Sequence, residues 1–83
     1  MEGNERILWG LSLLEANGGG VKKSYFRDKC FAMTNLRYNG FYEFMSVLRG
    51  KEWIKEIEQK DGQIWVILTE SGLEQLQALR MAK

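Results

Sequence analysis

The sequence predicts an α+β fold with the element order helix, helix, helix, β-hairpin, helix. Three observations predict it. Apolar residues recur at helical spacing through residues 4–49, β-branched and aromatic residues flank an Asp-Gly dipeptide within residues 53–68, and helical spacing returns after residue 69. The chain has 83 residues, of which 45% are apolar, and this is enough for one small core. We therefore expect a single domain over residues 1–83.

The first helix is predicted over residues 4–16, with Asn4 as its candidate N-cap. The run Asn-Gly-Gly-Gly at residues 17–20 predicts its end, because glycine readily adopts the left-handed conformation that terminates helices. Trp9 lies beside the apolar face, and a subunit contact is one interpretation of it. The apolar face itself contains Ile7, Leu8, Leu11 and Leu14.

Two further helices are predicted over residues 22–33 and 40–49. Cys30 lies on the apolar stripe of the second helix, and we interpret it as a small buried hydrophobic residue. Asn39 is the candidate N-cap of the third helix, which ends at Gly50. The inner face of the third helix is predicted to contain Phe41, Phe44 or Met45, and Leu48.

The β-hairpin is the clearest single element. Its strands are predicted over residues 53–58 and 63–68, and the tip contains Asp-Gly, which supplies the positive φ values that a tight turn needs. A fourth helix then begins with Thr69 or Ser71 as its N-cap and runs to the end of the sequence.

Composition excludes several classes of function. The chain has no histidine, which excludes Ser-His-Asp and Cys-His catalytic systems and histidine-ligated zinc. Its one cysteine cannot form an internal disulfide. The longest apolar runs are about five residues, far short of a membrane span, and the acidic N-terminus does not fit a signal peptide. We expect a cytoplasmic protein that is not an enzyme and uses no cofactor, metal or membrane.

The charges are unevenly distributed along the chain, although the total is only +1. Residues 1–19 have a net charge of −2, residues 20–51 a net charge of +5, and residues 52–83 a net charge of −2. The basic block therefore coincides with the second and third predicted helices. Its seven cations are Lys22, Lys23, Arg27, Lys29, Arg37, Arg49 and Lys51.

Two short motifs resemble those of winged helix-turn-helix DNA-binding domains, as found in small bacterial, archaeal, viral and plasmid regulators. Many members end the recognition helix with Leu-x-x-x-Gly-Leu-Ile and begin the last helix with Leu-Thr-x-x-Gly. Residues 48–54 here are Leu-Arg-Gly-Lys-Glu-Trp-Ile, with Glu52 at the family's glycine, and residues 68–72 are Leu-Thr-Glu-Ser-Gly. The resemblance implies a three-helix bundle, a two-stranded β-hairpin wing and a C-terminal helix.

The resemblance also implies binding to double-stranded DNA, sequence-specific or general, and transcriptional regulation. The helix at residues 40–49 would enter the major groove, and the wing at residues 53–68 would lie against the backbone. Small regulators of this kind dimerise, so a homodimer is expected, with the first and last helices as its available surfaces. Candidate base contacts are Asn35, Arg37, Tyr38, Asn39, Tyr42 and Ser46. Candidate backbone contacts are Lys22, Lys23, Arg27 and Arg49, and Lys60 near the hairpin tip is a candidate for contact with the backbone or the minor groove.

A second hypothesis is a winged helix that binds protein, as an adaptor in a replication or transcription assembly. Glu43 lies on the proposed reading face, where it would repel phosphate unless it accepts a hydrogen bond from a cytosine amino group. The wing carries three acidic side chains against two basic ones. These features favour the adaptor hypothesis. The wing charges are Lys55, Glu56, Glu58, Lys60 and Asp61.

Overall fold

A computed structural model describes residues 3–82, which form four helices and a three-stranded sheet. The predicted end of the last helix at Lys83 lies outside the described residues. The elements in chain order are α1 (Gly3–Ala16), β1 (Gly20–Lys22), α2 (Lys23–Thr34), α3 (Tyr38–Gly50), β2 (Ile54–Glu58), β3 (Ile64–Leu68) and α4 (Glu70–Met81).

The strand β1 is absent from the sequence prediction, which placed Lys22 in the second helix. The sheet order is β1-β3-β2 with both pairings antiparallel, so β3 lies in the centre. Val21 pairs with Val66 and is buried. A Cβ at Gly20 would lie 2.6 Å from Cδ1 of Ile67 and 3.2 Å from the carbonyl oxygen of Val66, so β1 packs closely against β3 at this residue.

Two predicted N-caps are wrong. Asn4 lies within α1, and Asn39 is the second residue of α3. The N-cap of α3 is Arg37, whose extended backbone leads into the helix without a side-chain hydrogen bond. The amide of Phe41 donates to the carbonyl oxygen of Arg37 at 2.7 Å, which brings Tyr38 into the first turn.

The core is built around Phe26 of α2. Its ring lies 6.3 Å from that of Trp9 and stacks 6.4 Å from that of Phe44, so Trp9 packs on the core of this chain. Both residues that the sequence offered for the inner face of α3, Phe44 and Met45, are buried. Cys30 is fully buried, as predicted, and this burial raises the pKa of its thiol to about 12.

The corner between α3, β2 and α4 explains the two motifs. Glu52, at the position of the family's glycine, has a φ of +61°, in the left-handed region that glycine favours. The hydroxyl of Thr69 donates to the Glu52 carbonyl oxygen at 2.5 Å and accepts from the Gly72 amide at 2.9 Å, so Thr69 rather than Ser71 caps α4. A Cβ at Gly72 would lie 2.0 Å from the carbonyl oxygen of Trp53, so this position requires glycine.

Candidate nucleic-acid interface

The outer face of α3 presents polar and aromatic side chains to solvent. Tyr38 is 66% exposed and Tyr42 is 59% exposed, and Ser46 and Arg49 continue the same side of the helix. Because the opposite side carries the buried core residues, this face is fixed in orientation by packing. It is available to a partner along the whole length of α3.

An open cleft of about 310 Å³ separates this face from the tip of the β-hairpin. It brings together three of the predicted contact residues, Lys23, Arg27 and Tyr42. Two cations and a phenol hydroxyl around one opening are the groups that bind phosphate oxygens. The remaining lining residues are Ser24, Phe41, Gly62, Gln63 and Ile64.

Two further polar residues, Ser24 and Gln63, line the cleft. Ser24 was not identified, because a serine in the first turn of a helix has no local pattern that marks it as part of a site. Gln63 follows the hairpin tip, whose conformation is held by the carboxylate of Asp61: its Oδ1 accepts from the Gln63 amide at 2.9 Å. Gly62 has a φ of +82°, as the Asp-Gly dipeptide predicted.

Glu56 of β2 pairs with two of the predicted cations. Its Oε1 lies 3.0 Å from Nζ of Lys23, and its Oε2 lies 3.4 Å from a guanidinium nitrogen of Arg49. The first contact is a hydrogen bond, whereas the second has no hydrogen-bond geometry and leaves the buried Oε2 without a donor. Arg27 lies 3.5 Å from the carboxylate of its neighbour Asp28.

The other predicted contacts lie outside the cleft. Lys22 is paired with Trp65 across β1 and β3, and it borders a shallow apolar depression that Tyr25 and Trp65 also line. Lys60 lies at the hairpin tip beside Asp61. The others flank the turn between α2 and α3 as exposed side chains: Asn35, Arg37 and Asn39.

No protein-family model matches the sequence, and no curated protein is significantly similar to it. Among solved structures, the chain is similar to F93 from STIV, a winged-helix DNA-binding protein. The two share 24% sequence identity with a TM-score of 0.70, over 93% of this chain and 83% of that one. The fold is a winged helix. The predicted fold class is therefore confirmed, with β1 as an additional strand at the edge of the sheet.

In this winged helix, α2 and α3 form the helix-turn-helix and the β2–β3 hairpin forms the wing. The cleft lies where the start of α2, the first half of α3 and the wing tip meet. Within residues 3–82, no group of acidic or cysteine side chains is arranged to hold a metal ion. No helix in the described part of the chain is long and apolar enough to cross a membrane.

Proposed function

We propose that this winged helix binds double-stranded DNA and acts as a transcriptional regulator by occupying its site. The observation that carries the proposal is the cleft in which Lys23, Arg27 and Tyr42 meet the wing tip. Phosphate oxygens accept hydrogen bonds from all three side chains. The similar fold of F93 from STIV, which is described as a DNA-binding protein, supports the proposal.

In the proposed complex, α3 enters the major groove and the wing lies against the backbone. Base edges are contacted from the first half of α3 and the turn before it, and the surrounding cations hold the phosphates. The residues that face the groove are Asn35, Arg37, Tyr38, Asn39, Tyr42 and Ser46. Among them, the two tyrosines and the serine offer hydroxyls to phosphate, and the other three side chains contact bases. The phosphate-contacting set is Lys22, Lys23, Arg27, Arg49 and Lys60.

The test is a titration of a labelled random-sequence duplex across a salt series. We expect micromolar or tighter binding at low salt, with log K falling linearly as log salt rises. Replacing Lys23 and Arg27 together with glutamate should weaken binding by at least about tenfold, because two phosphate contacts become repulsive. Absence of binding by the wild-type protein at low salt would reject the proposal.

A matched control distinguishes the contribution of the cleft to DNA affinity from the effect of net charge. Lys29→Glu with Lys55→Glu changes the net charge by the same amount, but neither lysine lines the cleft. Lys29 lies over the ring of Tyr25, and Lys55 pairs with Ile67 within the sheet. An equal loss of affinity in both double variants would show that the cleft is not the binding site.

We further propose that the protein acts as a homodimer through the outer surfaces of α1 and α4. These helices are already joined within one chain, where Arg80 contacts Glu15 at 2.8 Å, so they offer one continuous surface. Sedimentation equilibrium at micromolar concentration should give twice the mass of the chain. A monomer at concentrations where DNA is bound would contradict this part of the proposal.

A second candidate function is an adaptor that binds protein through α3. Tyr38, Tyr42 and Val47 are exposed on this helix together with Glu43, and tyrosines are enriched at protein interfaces. The salt series discriminates between the two candidates. Undetectable DNA binding at low salt, with the protein folded, would favour the adaptor.

A further inference from the structure

Glu56 has a position unlike that of the other acidic residues of the wing. Its side chain is only 18% exposed, whereas Glu58 and Asp61 are exposed. It contacts the first residue of α2, Lys23, and the last turn of α3 at Arg49. One carboxylate thus links the wing to both helices of the helix-turn-helix.

The sheet register explains why Glu56 is directed at these cations. Glu56 lies opposite Val66, which is fully buried, so both side chains are on the face of the sheet that packs against the helices. Ile54, two residues earlier, is buried on the same face. Glu56 therefore occupies a position of the strand where an apolar residue would be expected.

A carboxylate and a phosphate bind the same cationic donors, and both accept through anionic oxygens. Lys23 borders the open cleft, and Arg49 is about half exposed, so both cations remain within reach of a ligand. While Glu56 holds them, the three side chains together carry one positive charge instead of two. A phosphate must then compete with Glu56 for donors that are already engaged.

We propose that Glu56 is an internal competitor of DNA phosphate that occupies Lys23 and Arg49 in the free protein and lowers the affinity for DNA. This inference rests on the proposed DNA-binding function. On binding, the phosphate takes over the lysine ammonium and the arginine guanidinium, and the Glu56 carboxylate is displaced from them. The acidic residue thereby sets how tightly, and at what salt concentration, the protein holds DNA.

The decisive variant is Glu56→Gln, which keeps the size of the side chain and removes its charge. We expect the dissociation constant for a random duplex to fall by about 3-fold to 10-fold at 50 mM salt, and the slope of log K against log salt to steepen by about 0.9, the equivalent of one more phosphate contact. Glu56→Asp keeps the charge on a shorter side chain and should give a smaller gain. It also provides a second test if the glutamine variant is poorly folded by circular dichroism.

The matched control is Glu58→Gln, on the same strand and the same face. Glu58 is exposed and forms no ion pair among the described residues, so its removal changes the net charge equally without releasing a cation. Each substitution is then repeated in a protein that also carries Lys23→Gln and Arg49→Gln. The gain from Glu56→Gln should vanish in that background, whereas any effect of Glu58→Gln should persist.

The outcomes distinguish failure of the inference about Glu56 from failure of the proposed DNA-binding function. If the wild-type protein binds DNA and Glu56→Gln binds no more tightly, the inference about Glu56 is wrong and the proposed function stands. An equal gain from Glu58→Gln, or a gain that persists without Lys23 and Arg49, also overturns it. If neither the wild-type protein nor the Glu56→Gln variant binds DNA at low salt, the proposed function itself fails.

Discussion

Glu52 adopts a backbone conformation that is unfavourable for any residue with a Cβ. Its φ of +61° places it in the left-handed region, which costs a non-glycine residue roughly 1–2 kcal/mol. The conformation is imposed by its neighbours, because the amide of Trp53 donates to the Leu48 carbonyl oxygen and the hydroxyl of Thr69 donates to that of Glu52. The corner needs this turn whichever residue occupies position 52.

Glu52→Gly should therefore stabilise the fold. Relief of the left-handed strain outweighs the greater entropy of glycine in the unfolded chain, and a net gain of about 0.5–1 kcal/mol in the free energy of unfolding is expected. Urea denaturation measures it. Lys51→Gly is the control, since Lys51 has an ordinary φ of −84° and should lose stability on the same substitution. A loss in both variants would contradict the strain at position 52.

At the scale of elements, α4 is attached to the corner through its first turn. Gly72 lies so close to the backbone of residue 53 that a Cβ would be 2.0 Å from the Trp53 carbonyl oxygen and 2.8 Å from Cδ1 of Leu68. A backbone oxygen held by the amide of Thr69 cannot move away without breaking that hydrogen bond. The spacing of threonine and glycine in the second motif therefore follows from the geometry of this contact.

Gly72→Ala should displace α4 and destabilise the protein by about 3 kcal/mol, near the upper end of what overpacking costs. Thermal unfolding followed by circular dichroism measures the effect. Gly50→Ala provides the comparison, because a Cβ at Gly50 meets open space in the last turn of α3. That substitution should be neutral or stabilising by up to about 1 kcal/mol, since alanine is the better helix former. Similar losses at both glycines would contradict the close approach.

At the scale of the whole molecule, Cys30 reports on the opening of the core. It is fully buried, and the pKa of its thiol is raised to about 12 by burial, so the reactive thiolate is scarce in the folded protein. At pH 8 we expect a disulfide reagent to label Cys30 only through unfolding. Gly72→Ala should then speed labelling and Glu52→Gly should slow it. Rapid labelling of the folded wild-type protein, independent of these variants, would show a local opening instead.

The same thiol makes stability depend on pH in the alkaline range. Its pKa is about 12 in the folded state against an ordinary value of 9.0 in the unfolded chain, so the unfolded state loses its proton first. The contribution of Cys30 is fully present below pH 9 and is lost as the pH rises toward 12. The difference in unfolding free energy between the wild-type protein and Cys30→Ala should therefore shrink over that interval.

The cations of residues 20–51 form one block along the chain, but the fold distributes them over different surfaces. Lys22 and Lys23 are neighbours in the basic block, but their side chains lie apart in space, because Lys22 lies beside Trp65 on the sheet while Lys23 lines the cleft. Two of the block's cations are paired with Glu56, which the sequence places 33 residues after Lys23. The net charge of +5 over residues 20–51 therefore overstates the charge available to a ligand.

Local patterns were sufficient to predict most of the architecture. Helical spacing identified four helices, the Asp-Gly tip identified the wing, and two motifs of five to seven residues indicated the winged helix, because each depends on neighbours within one or two turns of chain. The strand β1, the bond from Thr69 to the Glu52 carbonyl oxygen and the pairing of Glu56 depend on partners that are distant in sequence. The segment Gly20–Lys22 forms a strand because it pairs with the edge of β3 that β2 leaves open. Glu56 contacts two cations because its position in the sheet directs its side chain toward the helices. Packing, rather than local propensity, therefore determines which cations of the proposed interface are free to bind DNA.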